Sequence, residues 1–146
     1  MGDRCGVYFQ LAGKIKREHV PGLIEHMLNE GLQGNTPNTT EPTAENLHEN
    51  FYADEVNYGT IDAVTDYCLE HQIAFELTNG AGGGYGAGIR RFDGVRDEQA
   101  DSGDWGPMVA YSDILKVETL ATGLATLIAD ARFWAADLEP VEIVDV

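Results

Sequence analysis

Apolar and polar residues alternate near the start of the chain. Cys5, Val7, Phe9 and Leu11 are interleaved with Gly6, Tyr8 and Gln10, the period-two pattern of a half-buried strand over 4–11. A basic turn follows, Lys14-Ile15-Lys16-Arg17. Pro21 then sits where a first helical residue belongs and Gly31 where a C-terminal cap belongs. Between them Leu23, Ile24, Met27 and Leu28 form one apolar stripe, predicting a helix over 20–30. Residues 34–46 lack any period and are rich in Thr, Asn and Pro, which predicts a polar loop. Asn50 to Asn57 reads as a strand, with Phe51 and Val56 as its apolar content. Thr60 is a candidate N-cap. Ile61, Val64, Tyr67 and Cys68 predict a second helix over about 61–71, and Ile73 to Leu77 a strand. A glycine tract at 80–88 separates this strand from another at 89–92. An acidic loop at 93–106, a strand at 107–111 and a long helix at about 113–135, capped by Ser112, complete the pattern, with an edge strand at 141–146.

Strand, glycine turn and helix thus recur, with Gly13-Lys14-Ile15 matched by Gly59-Thr60-Ile61. Two such units suit a ferredoxin-like arrangement. The expected fold is an α+β two-layer sandwich with a mainly antiparallel sheet and about three helices. At 146 residues and 43% hydrophobic content, the chain is the size of one domain, 1–146, with a core of its own. The N-terminus lacks a signal peptide's apolar core, and no run of residues is long and apolar enough to span a membrane. A cytoplasmic protein of a bacterial host is expected. Cys5 and Cys68 read as two buried thiols rather than a disulfide framework.

Charge changes the picture most. The chain carries 25 Asp and Glu against 9 Lys and Arg, a formal net charge of −16. Direct nucleic-acid binding needs a surplus of cations to displace counterions, and anionic lipid needs the same, so both are excluded as expectations. A basic protein surface is the favoured partner. The acids are also unevenly placed. From Glu18 to Ile89 there are twelve acids and no Lys or Arg. In the second predicted helix Asp62, Asp66 and Glu70 are spaced i, i+4, i+8, on one face opposite Ile61, Val64 and Cys68. At 1.5 Å per residue, successive carboxylates lie about 6 Å apart, comparable with phosphates along a nucleic-acid strand. Like charges at this spacing cost a helix ~0.2–0.5 kcal/mol per pair. Two readings of the face stand: a surface that engages a basic partner, or a solvated acidic face adapted to a salty medium.

Candidate chemistry is sparse. Gly82, Gly84 and Ala87 fit G-x-G-x-x-A, but no helix follows to hold a pyrophosphate. The tract therefore reads as a hairpin connection, with Arg90 and Arg91 keeping a small-anion site open as the alternative. His19, His26, His48 and His71 each stand beside a glutamate. Neighbours on a helix point about 100° apart, so these pairs do not chelate, and the histidines read as exposed in an acidic field. No CxxC or HExxH occurs, Asp93-Gly94-Val95 breaks the order of an EF-hand loop, and no Gly-x-Ser-x-Gly is present. No metal, cofactor or catalytic residue is expected. Trp105, flanked by Asp104 and a Gly-Pro turn, is either an exposed interface anchor or folded onto the core.

A small, acidic single-domain chain with a carboxylate-striped helix and no catalytic motif resembles the anti-defence proteins of phages and plasmids, such as anti-CRISPR and anti-restriction inhibitors. Phe51-Tyr52-Ala53-Asp54-Glu55-Val56-Asn57-Tyr58-Gly59-Thr60 through Cys68-Leu69-Glu70-His71-Gln72-Ile73-Ala74-Phe75 is similar to segments of uncharacterised prophage and plasmid proteins. The resemblance implies a stoichiometric inhibitor that occupies a basic nucleic-acid channel, or blocks subunit contacts, in a defence complex such as a CRISPR effector. It brings no catalytic residue. The residues expected to meet the partner are Asp54, Glu55, Asp62, Asp66 and Glu70, supported by Asp97, Glu98, Asp101, Asp104 and Trp105. Two other classes remain: a small enzyme acting on a phosphorylated ligand through the glycine tract, and a homo-oligomeric structural protein.

Overall fold

A computed structural model describes residues 4–34, 40–82, 84–103, 106–109 and 120–146. The central strand comes first in the chain. β1 (Arg4–Ala12) lies between β4 (Asn50–Asn57) and β5 (Ala74–Asn79) and runs antiparallel to both. The sheet extends on one side to β3 (Gln33–Gly34). On the other side it continues through β6 (Gly88–Phe92), β7 (Asp97–Gly103) and β8 (Gly106–Pro107), all antiparallel. The order is β3-β4-β1-β5-β6-β7-β8. Alternation decides the faces. Val7, Phe9 and Leu11 of β1, with Phe51, Phe75, Leu77 and Phe92, point into one buried cluster.

Two helices cover that cluster. α1 (Val20–Asn29) follows a single 3-10 turn at Arg17–His19 and contributes Val20, Leu23 and Met27. α2 (Asp62–Glu70) contributes Val64 and Cys68. The stripes read from periodicity are therefore the buried faces, except at Leu28, which is exposed. α2 joins β4 to β5, which are parallel to one another with β1 between them. This is a split β-α-β unit, the ferredoxin-like element expected from the pattern. The α1 half differs, since it leads to β4, which is antiparallel to β1. A third helix, α3 (Leu120–Ala135), ends against the opposite face of the sheet. The molecule is thus an α+β sandwich with a mainly antiparallel sheet and three α-helices among the described residues.

Several elements depart from the sequence pattern. The basic turn is a short strand, β2 (Lys14–Lys16), which pairs in parallel with β9 (Glu142–Val144) as a separate two-stranded sheet. Half of the expected acidic loop at 93–106 is β7. Its charged side chains hid it, but its alternation is intact. Thr60 does not cap α2. Ile61 holds the cap position and the Thr60 hydroxyl donates to the Asn57 carbonyl instead. The expected cap Ser112, the start of the long helix and residues 35–39 of the polar loop lie outside the described residues. Just beyond that loop Leu47 is buried. The glycine tract does connect β5 to β6, as a hairpin requires.

Both core helices end in the same way. In α1, Leu32 N–H donates to Met27 and Gly31 N–H to Leu28, with Gly31 at φ +74°. In α2, Ile73 N–H donates to Cys68 and Gln72 N–H to Leu69, with Gln72 at φ +55°. These are Schellman caps, and the buried Leu32 and Ile73 supply their apolar contacts.

Candidate functional site

β4 is one residue too long for its partner. Cys5 faces Val56 and Val7 faces Ala53, so Asp54 and Glu55 share the place opposite Gly6. This bulge turns both carboxylates outward. Glu55 takes a left-handed conformation, φ 52°. The Asp54 carboxylate accepts the Glu55 N–H at 2.9 Å and the Tyr52 hydroxyl at 3.2 Å. Arg4 reaches Glu55 at 3.5 Å.

The end of α1 and the start of α2 bring further acids to the same place. Glu30, Asp54, Glu55 and Asp62 line one cleft of about 340 Å³ with Asn29, Asn57 and Thr60. Three residues singled out from sequence thus converge, joined by Glu30. Asp62, Asp66 and Glu70 are all exposed along α2, opposite the buried Val64 and Cys68.

Asp62 also borders a second, larger groove of about 600 Å³. Its floor is the edge half of the sheet, on the side covered by α2. Arg90 of β6 lies here, its guanidinium 5.5 Å from the Phe75 ring centre. Asp97 binds it through two bonds of 3.0 and 2.8 Å. The guanidinium is held above its ordinary range, first by that hydrogen bond and then by the charges of Asp97, Asp66 and Asp62, against an opposing desolvation. Asp66 and Asp62 of α2 therefore share one field with β6 and β7. Asp101 lines the same groove.

The remaining predicted residues do not join this surface. Glu98 pairs across from Arg91 on the opposite face of the sheet and is bound to Arg96 at 2.9 Å. Asp97 borders the surface, but Arg90 occupies it. Asp104 and Trp105 lie outside the described residues.

The proposed anion site loses both of its arginines. Arg90 is matched by Asp97. Arg91 binds Glu76 at 2.5 Å and donates to the Phe133 and Ala136 carbonyls at the end of α3. There it caps orphan carbonyls and meets the negative end of the helix dipole. Its work is structural.

Three histidines were misread as exposed. His19 stacks on His71 at 4.1 Å between ring centres, and Tyr67 lies 4.4 Å from His71 and 5.0 Å from His26. The Tyr67 hydroxyl donates to the His19 carbonyl at 2.9 Å. It fits because residue 22 is glycine, where a Cβ would stand 2.5 Å from that hydroxyl. This cluster cements α1 to α2, and its members are too far apart in sequence for local spacing to reveal it. His48 remains exposed. Cys68 is fully buried and its thiol is pushed well above the ordinary value by desolvation, so it is inert. Cys5 is half-buried, so the expectation of two buried thiols holds for Cys68 alone. No group of metal-ligating side chains occurs among the described residues, and no helix among them is long and apolar enough to cross a membrane.

No known family, curated protein or solved structure matches this chain. The site must be read from its own residues.

Proposed function

We propose that the protein is a non-enzymatic binding protein that engages a basic protein surface. In this reading it is a mobile-element inhibitor of a bacterial nucleic-acid-targeting defence complex, an anti-CRISPR-like protein of the cytoplasm. It competes for a basic nucleic-acid-binding channel, or for subunit contacts, by presenting carboxylates where the complex expects phosphates.

The observation that supports this reading is the convergence of Glu30, Asp54, Glu55 and Asp62 on one cleft, continued by Asp66 and Glu70 along α2. These acids come from α1, β4 and α2, and among the described residues only Glu55 of them is in a salt bridge, while Asp62 and Asp66 feel Arg90 at longer range. A solvated acidic face has no need of a bulge that aims two carboxylates at one cleft. Steering by such a field raises association rates and makes them depend on salt.

The test is competition for DNA by a panel of purified CRISPR effectors and restriction enzymes. The protein displaces DNA from its target at equimolar ratio, and the displacement weakens as salt rises. The triple reversal D62K/D66K/E70K slows association by about tenfold and flattens its salt dependence. A folded triple variant that competes as well as the parent overturns the reading for this face.

A further inference from the structure

The larger groove has a chemistry that the acidic face as a whole lacks. It is concave, at about 600 Å³, within the size range of small-molecule and side-chain pockets. Its lining combines three kinds of surface. Leu77 and Met108 are apolar. Tyr58, 61% exposed, and Tyr85 stand together with ring centres 6.2 Å apart. Asp62 at the start of α2 and Asp101 on β7 face the space from opposite walls. Neither carboxylate has an ion pair or side-chain hydrogen bond among the described residues, while the one cation in the groove, Arg90, is already matched by Asp97.

We infer that this groove is a pocket for an arginine side chain presented by the partner protein. The argument rests on complementarity at three points. A guanidinium is a planar, weakly hydrated cation that stacks on aromatic faces, and the exposed Tyr58 offers such a face. Its fork donates to carboxylates from more than one side, and Asp62 and Asp101 supply them from separate walls. Its three-carbon stem lies along apolar surface while the head stays polar, which Leu77 and Met108 permit. An ammonium would use the charge but not the stacking. A phosphate would meet the carboxylates of Asp62 and Asp101 and an arginine already bound by Asp97.

This inference deepens the proposed function by naming the group recognised, and its test does not require the partner. The probes are short blocked peptides carrying two arginines, two lysines or two citrullines, with agmatine as the free guanidinium. Amide resonances of the 15N-labelled protein report where each binds. The arginine peptide produces saturable shifts at Thr60–Asp62, Gly86–Gly88 and Asp101. The lysine peptide binds about fivefold more weakly and the neutral citrulline isostere not at all. Asp62→Asn and Asp101→Asn each weaken the arginine peptide by about tenfold, whereas Glu142→Gln, the same charge change on the exposed β9 outside the groove, leaves it within about twofold. Asp101→Asn leaves the helix untouched, so the comparison survives if Asp62→Asn perturbs α2. Equal binding of arginine and lysine peptides, or equal losses in all three variants, overturns the pocket in favour of diffuse charge attraction. Agmatine binding as tightly as the peptide overturns the assignment to a protein side chain. If the pocket fails while salt-dependent DNA competition persists, the proposed function stands without it; if the pocket binds arginine but no target is displaced, the function fails and the pocket stands.

Discussion

At the scale of single residues, the side chains with the largest structural roles are those that spacing alone does not single out. Arg91 holds Glu76 and two terminal carbonyls of α3 at once, with 11% of its side chain exposed. Arg91→Met therefore leaves a half-buried carboxylate and two carbonyls without their donor. The expected loss is about 2–3 kcal/mol, read from urea unfolding, and Arg91→Lys recovers little of it because a lysine lacks the fork. A double-mutant cycle with Glu76→Gln shows coupling; additivity would refute the pairing. Cys68 makes a second case. Its folded thiol keeps its proton far more tightly than the unfolded chain does. The resulting stability is whole below the ordinary thiol value of 9.0 and declines as pH rises above it, by up to ~1.4 kcal/mol per pH unit. Tyr67, raised first by burial, adds to the decline further into alkali. Urea midpoints at pH 8 and pH 10 measure the slope, and Cys68→Ala flattens it while lowering both midpoints through the cavity it leaves. An unchanged slope in that variant removes Cys68 as its source. From the sequence, Arg91 is one basic residue among three and Cys68 one apolar position in a stripe. Register across β5 and β6 gives the first its role, and the depth of the core gives the second.

Elements were legible where their signals were local. β4 spans the residues its pattern predicts, and α1 and α2 bury the stripes that periodicity marks, Leu28 apart. The two helix ends illustrate the limit. Gly31 announces the first cap, but the second has the same hydrogen bonds with Gln72 in the left-handed position. A side chain there is strained, so Gln72→Gly raises stability by about 0.5–1 kcal/mol, visible as a higher melting temperature. No gain would mean that Gln72 makes a compensating contact. β7 escaped because Asp97, Glu98 and Asp101 read as loop, although β8 pairs with it only at Ser102 and Gly103 and charge along the rest of that side discourages unwanted pairing. β2 escaped for a different reason, whereas β9 falls within the edge strand expected at 141–146. Each is three residues long, and they join regions far apart in sequence. The candidate surface was half legible: the α2 stripe follows from helical spacing, whereas its union with Glu30, Asp54 and Asp101 depends on a bulge and on sheet order.

For the whole molecule, a net charge of −16 acts against compactness. Apart from Arg90–Asp97 and Arg91–Glu76, the ion pairs among the described residues are partly or fully exposed and individually weak, so screening of the general repulsion outweighs screening of the pairs. Raising sodium chloride from 10 to 500 mM shortens the screening length from roughly 30 Å to roughly 4 Å and therefore increases the melting temperature. A decrease would show that specific pairs dominate. Sheet order has a separate consequence, for the route by which the molecule forms. β5, β6 and β7 are joined by short connections and can zip as hairpins. β4 and β5 never touch; each pairs with β1, which is made before either. The strand at the centre of the sheet must stay unpartnered until two distant stretches of chain arrive. Its core-facing Val7, Phe9 and Leu11 are exposed throughout that interval. Refolding is thus limited by insertion of the first strand rather than by its local neighbours, and a partly folded chain carries an open slot that β1 of another molecule fits as well as its own.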